Sequence, residues 1–371
     1  MEPVTLYGAP HSLYTGRVRS YLVKAGIAYR ELVPNTQHFK ERVLPKAGGR
    51  QSMPTLELVD GTVIRDGAAI LDHFEAAGGH PFAPRSPRQR VLSLLFDVVG
   101  AEGLLRPAMH YRWNFDEMNL EFLRIHFQML ISTDVRAKAD VFMQRMREAG
   151  IAFGVVPETY AVVESLYEGL LDKMDAHFAD HPYLLGGKPC IGDFGMIAPL
   201  FAHLGRDPKP LALMQARAPH LYRWVERMNR LEDDRGEFGE AEEGGCLADD
   251  GIPDSVVEIL RQLAIDFVPE TKAAAQSIND WLAQQDSLAA GTEVMRGVGL
   301  APFTVEGTTV NALAQPYRYY LLKRVQDEVA GLSEGARADV LELLERCEMA
   351  EVLDFRLTRG IGRENNLEVW L

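Results

Sequence analysis

Three cysteines in 371 residues, Cys190, Cys246 and Cys347, are too few and too widely spaced for a disulfide framework. No CxxC pair or Cys/His ligand pattern accompanies them, so no metal site is expected, and a reducing cytoplasm suits such a chain. No apolar run reaches the ~18 residues a membrane helix needs. Residues 1–10 have neither a basic start nor an apolar stretch, so a secretory signal is not expected either. Positive charge is also scarce. Lys and Arg number 39 against 53 Asp and Glu, a net charge of −14, which argues against a general nucleic-acid partner, because phosphate contacts need clustered basic residues. Internal repeats and low-complexity runs are absent.

What is present is an ordinary globular balance, 47% apolar and 25% charged, with length for two or three domains. The most informative stretch is SMPTLELVDGTVIRDGAAILDHF, Ser52 to Phe74. Thr55 to Val59 and Thr62 to Arg65 read as strands, and Asp60-Gly61 between them is a strong hairpin signal. Asp66 precedes Gly67-Ala68-Ala69-Ile70-Leu71, so its carboxylate can accept the free N–H groups of a first helical turn. Pro54 stands at the head of the first strand, where a trans edge residue and a cis turn are both open from the residues alone.

Val4 to Tyr7 reads as a strand, Thr15 to Ala25 as a helix ended by Gly26, and Tyr29 to Val33 as a second strand parallel to the first. Residues 35–51 read as a loop with a short helix. Two glycines and three prolines in residues 78–87 mark a linker, and helical spacing follows over Arg88–Leu105, Phe122–Leu130, Tyr160–Phe178 and Leu221–Leu231. Residues 232–245 carry seven carboxylates against one arginine and read as a solvated break. Beyond it, Ser255–Phe267 and Lys272–Gln284 read as two amphipathic helices, Phe303–Val310 as a hairpin turning at Glu306-Gly307, and Tyr317–Leu332 and Glu334–Leu353 as further helices. Domains are expected at 1–79, 88–231 and 246–371.

The order strand, helix, strand, then Met53-Pro54, hairpin, Asp66-Gly67 and helix resembles the thioredoxin-like N-terminal domain of cytosolic glutathione transferases. The loop Tyr183 to Phe194 before an apolar helix resembles their all-helical second domain, with Asp193 at the acidic cap position and Cys190 where that family has a hydroxyl. The likeness covers about residues 4–231. It implies an α/β domain of βαβ-α-ββα order, an all-helical domain, and a mostly helical extension outside the family pattern. It implies a cis Met53-Pro54 bond, with Met53 offering its backbone to the cysteinyl part of glutathione. It also implies that Asp66 and Gly67 meet the γ-glutamyl end. Gly67 lacks the hydroxyl the family has there. Lys46, Arg50 or Gln51 would stand near the glycyl carboxylate, since carboxylates favour cationic and amide donors.

Arg17-Val18-Arg19 resembles the basic pair opening the first helix of zeta-like and related bacterial members, which puts their catalytic serine on Ser12. Lowering a thiol pKa by about two units corresponds to roughly 2.7 kcal/mol. One hydrogen bond to a charged group is worth about 1.5–3 kcal/mol, and a helix N-terminus adds up to about 1 kcal/mol. A hydroxyl at a helix start therefore suffices. Tyr14 and Tyr7 are rival hydroxyls, Tyr7 on a strand. His11 beside Ser12 admits a Ser/His hydrolase, although no acidic orienter adjoins it. No cysteine occupies the loop, which argues against thiol-transfer chemistry. Met109, Tyr111, Arg112 and Trp113, within LRPAMHYRWNF, either line an apolar pocket for a hydrophobic electrophile or form a helix–helix core. Glutathione is thus the implied co-substrate and a small apolar electrophile its partner, by conjugation, ether cleavage, dehalogenation or isomerisation. A non-catalytic interaction module is the alternative. The resemblance also admits a homodimer, over a surface that the extension stands to cover.

Overall fold

A computed structural model of the protein describes residues 2–131, 134–239 and 245–371. The first unit is β1 (Val4–Tyr7), α1 (Leu13–Lys24), β2 (Tyr29–Leu32), β3 (Thr55–Glu57), β4 (Val63–Arg65) and α2 (Gly67–Gly78). Its sheet has the order β2-β1-β3-β4, with β1 parallel to β2 and the other pairs antiparallel. This is the thioredoxin-like arrangement. The bond between Met53 and Pro54 is cis. Residues 35–51 hold one wide helical turn, Phe39–Val43, whose apolar side chains pack under Tyr7.

The second unit is helical: α3 (Pro87–Val98), α4 (Leu105–Trp113), α5 (Asp116–Gln128), α6 (Val135–Ala152), α7 (Tyr160–Asp180), α8 (Ile191–Ala202), α9 (Pro208–Arg217) and α10 (Pro219–Met228). The expected helix 88–105 is interrupted at Val99–Gly103 by a wide turn. The turn lets backbone meet backbone, for a Cβ on Gly100 would lie 2.3 Å from the Gly195 carbonyl carbon of α8. Asp193 accepts from Cys190 N at 2.8 Å, Leu184 N at 3.2 Å and Trp224 Nε1 at 3.0 Å, closing the loop before α8. Helix α1 packs across α8, and Ser20 donates to the carbonyl of Met228 at 2.7 Å, joining the two units.

The break expected over 232–245 is only partly solvated: Arg227 is fully buried and holds Glu237 at 2.5 Å and the Asp234 carbonyl at 2.6 Å. Residues 240–244 of that stretch lie outside the described residues. The two helices expected after it are one, α11 (Asp254–Leu282), which runs through Pro269. A proline removes one backbone donor and bends a helix, and packing against α7 and against the strand Leu300–Val305 holds both halves in one rod. Strands β5 (Leu300–Val305) and β6 (Thr308–Leu313) turn at Glu306-Gly307, both at positive φ. Helices α12 (Tyr317–Gly331) and α13 (Glu334–Arg346) follow, the latter ending short of the expected 353. The chain closes in an unanticipated hairpin, β7 (Ile361–Glu364) and β8 (Leu367–Trp370), turning at Asn365-Asn366. Among the described residues, no helix is long and apolar enough to cross a membrane.

The extension is bound into both units. Asp250 accepts from the backbone of Arg88 and Gln89 at 2.8 and 2.9 Å and so caps α3 from afar. The terminal hairpin covers β4, the sheet's edge strand, whose free backbone groups need partners. Asn366 accepts from Arg65 N at 3.1 Å and donates to the carbonyls of Val63 and Lys46, both at 2.9 Å. Glu368 pairs with the buried Arg65 guanidinium at 2.6 Å. Asn366→Gly keeps the left-handed backbone and removes only the amide, so it is expected to lower stability by about 2 kcal/mol in urea unfolding. An unchanged midpoint would mean that the hairpin does not hold the sheet edge.

Candidate functional site

Ser12 is the N-cap of α1, half-buried, with φ −84° and ψ 121°. Its Oγ accepts from Thr15 N at a long 3.4 Å, which leaves the hydroxyl proton free to be given elsewhere. Two arginines fix the loop that carries it. Arg19 donates to the Ala9 carbonyl at 3.2 Å and pairs with Glu31 at 2.7 Å. Arg112 reaches from α4 to the His11 carbonyl at 2.9 Å, while Asp207 grips the same guanidinium at 2.6 and 3.0 Å. Arg112 is buried, so it acts as a strut behind Ser12.

The neighbours of Ser12 have other tasks. His11 is buried with its ring 4.6 Å from that of Phe127; burial, then the nearby Arg112 charge, holds it well below the usual histidine range, so it stays neutral. No hydrogen bond joins it to Ser12 among the described residues. Tyr14 donates to Glu102 Oε1 at 3.3 Å, and burial followed by that carboxylate drives its pKa well up, disfavouring a phenolate. Tyr7 is buried on β1 and donates to Glu57 at 2.9 Å.

Half-buried Met53 precedes Pro54, whose carbonyl accepts from Asp66 N at 3.2 Å at the start of α2. Asp66 caps that helix: Oδ1 accepts from Ala68 N at 3.0 Å and Ala69 N at 3.2 Å. Its other oxygen, Oδ2, accepts from Tyr317 on α12 at 2.8 Å. Gly67 is buried, and a Cβ there would rest 3.4 Å from the Arg17 side chain. Arg17 pairs with Asp97 on α3, and Arg324 of α12 reaches Asp97 at 3.4 Å and Asp72 at 2.5 Å. Lys46 donates to the Gly61 carbonyl at 2.7 Å and Gln51 to the Pro34 carbonyl at 2.9 Å. Arg50 meets Glu293 of the extension at 3.0 Å, beside a cleft of about 560 Å³ lined by Gly48, Gly49 and residues 293–296.

A Cβ on Gly67 would lie 3.8 Å from the Tyr14 carbonyl, two residues after Ser12, and Met53 precedes the proline that is bonded to Asp66 N. Met109, Tyr111 and Trp113 are at most 9% exposed and pack internally, Tyr111 against Phe115 and Tyr167, Trp113 against Phe127. They are core here. What local pattern could not find is the contribution of the extension. Tyr317 lies 251 residues from Asp66, and Arg318 pairs with Glu270 at 3.0 Å while donating to the Glu102 carbonyl at 3.0 Å.

A thioredoxin-like unit is thus followed by a helical one, with side-chain caps at the starts of α1 and α2. Residues 6–82 match the family model for the glutathione S-transferase N-terminal domain and residues 141–232 that for its C-terminal domain. The chain belongs to the glutathione S-transferase superfamily. Among solved structures it is similar to a glutathione S-transferase from Methylobacterium radiotolerans in complex with glutathione sulfonate, at 18% identity over 68% of this chain and 100% of that one, TM-score 0.37. It is also similar to the beta-etherase LigF from Sphingobium, at 15% identity over 65% and 100%, TM-score 0.42. A third is Gtt2 from Saccharomyces cerevisiae, at 17% over 63% and 99%, TM-score 0.35. At these scores the likenesses carry no weight, and membership rests on the two domain matches. No curated protein matches the chain.

Glu102, 2% exposed, gives the junction a measurable pH dependence. Burial pushes its pKa up to about 7, against the opposing pull of Arg318 and the Tyr14 hydrogen bond. From its ordinary 4.5 up to about 7, the folded state holds a proton that the unfolded state has released, so stability falls as pH rises through that window. Relative to Glu102→Gln, the native chain is expected to lose on the order of 3 kcal/mol between the acid and alkaline sides of it, read from urea midpoints. Parallel pH profiles for the two chains would contradict this.

Proposed function

We propose that this protein binds glutathione across the starts of α1 and α2, holds its sulfur as thiolate through the Ser12 hydroxyl, and delivers it to an apolar electrophile in a reducing, cytoplasmic setting. The observation that carries the reading is Ser12 itself. It caps a 12-residue helix, has no acceptor for its hydroxyl proton among the described residues, and is supported from behind by Arg112. The thiolate would gain a charge-assisted hydrogen bond and the field of the α1 N-terminus together. In this pose Met53 pairs with the cysteinyl backbone, Asp66 Oδ2 accepts the γ-glutamyl ammonium, the Gly67 N–H at the start of α2 receives its carboxylate, and the glycyl carboxylate lies towards Arg50. With Met109, Tyr111 and Trp113 in the core, the electrophile would enter elsewhere along the junction.

One observation favours the rival reading of a non-catalytic module. Asp66 Oδ2 and Arg50, two groups assigned to glutathione, already have partners in the extension, Tyr317 and Glu293. Ultraviolet titration of the bound thiol separates the two. Glutathione on the native chain is expected to ionise about two pH units below its free value, to return to near that value in Ser12→Ala, and to remain shifted in Tyr14→Phe. A bound thiol with unaltered ionisation in the native chain, or no binding at millimolar glutathione, would leave the module reading.

A further inference from the structure

We infer that Tyr317, on the extension, is a binding residue for the amino-acid end of glutathione, supplying from α12 the hydroxyl that position 67 lacks. The inference rests on the glutathione reading above.

An α-amino acid head carries an ammonium and a carboxylate side by side, so its receptor needs an anionic acceptor next to neutral or cationic donors. At the start of α2 the acceptor is Asp66. Oδ1 is spent on two helix amides, so Oδ2 is the oxygen left for a ligand, and the group that sits on it is the Tyr317 hydroxyl at 2.8 Å. Gly67 beside it offers a backbone N–H and no side chain. Tyr317 and Asp66 are both half-buried.

The pair also re-forms with no proton transfer. In the unliganded chain Tyr317 donates to Oδ2. An arriving ammonium takes over Oδ2 as donor, and the phenol rotates its proton about the C–O bond to the neighbouring carboxylate, which also meets the N-terminus of α2. Asp66 Oδ2 and the Tyr317 hydroxyl would each keep a partner in both states. Both members are held in place from behind. Arg318, next to Tyr317, is fixed by Glu270, Thr271 and the Glu102 carbonyl. Arg65, next to Asp66, is fixed by Asn366 and Glu368. The extension is thus a wall of the site that arrives already positioned.

The test is calorimetric titration of the full chain, of Tyr317→Phe and of Tyr320→Phe, each with glutathione and with its γ-aminobutyryl analogue, which keeps the amine and lacks the α-carboxylate. Tyr317→Phe is expected to weaken glutathione binding roughly tenfold or more and to leave the analogue's affinity unchanged. Tyr320→Phe leaves both unchanged. A disturbed fold would weaken both ligands alike, and that result, like no loss or a tighter glutathione complex in Tyr317→Phe, overturns the inference. If the native chain binds no glutathione, the functional reading itself fails, and this inference with it.

Discussion

The carboxylate of Asp66 is the point on which the arrangement turns. One oxygen starts α2 and so fixes where the thioredoxin-like unit presents a helix N-terminus; the other is tied to α12, more than two hundred residues away. The residue before it, Arg65, ends the edge strand and is gripped by the terminal hairpin. A carboxylate with its acceptors committed in two directions has little freedom to turn. The extension thus holds the orientation of this side chain, as it also holds Arg50 through Glu293.

Around that point lies a set of buried charges that bind the three parts of the chain together: Arg17 with Asp97, Arg106 with Asp266 and Glu270, Arg112 with Asp207, and Arg318 with Glu270. Buried ion pairs repay little of their desolvation cost, and leaving one partner alone is expensive. Such pairs are therefore poor evidence of net stability but strong constraints on which surfaces can meet. Arg112 shows the functional side of this. Its charge is neutralised by Asp207, which frees a remaining N–H to hold the carbonyl of His11 and with it the backbone entering Ser12.

Much of the α/β unit is legible in the sequence because its signals are local. Asp60-Gly61 marks a hairpin, Asp66 a cap, and Val4–Tyr7 and Tyr29–Leu32 have strand composition, each decided within a few residues. The helical unit is legible where apolar spacing is regular, as in α7, and lost where helices are polar or short, as in α6 and α9. The extension is read poorly for two reasons. Proline suggests a break in α11 that tertiary packing overrides, and the signal of the last hairpin is only Asn365-Asn366, two residues tolerant of positive φ in an otherwise unremarkable tail. Of the candidate site, Ser12, Met53, Asp66 and Gly67 are named by resemblance, and the sequence order marks the helix starts that carry Ser12 and Asp66. Tyr317 has no local signature, since its contact with Asp66 depends on where the fold delivers a residue 251 positions away. The aromatic cluster around Arg112 is left open between pocket and core by its sequence, because burial and pocket lining leave the same composition.

The most direct measurement is a crystal structure of the full chain grown with glutathione. The account predicts the tripeptide lying across the starts of α1 and α2, its sulfur within hydrogen-bonding distance of Ser12 Oγ and its γ-glutamyl end against Asp66, with α12 still in place beside it. Glutathione bound elsewhere, or this junction unchanged at saturating ligand with Asp66 paired only to Tyr317, would contradict it.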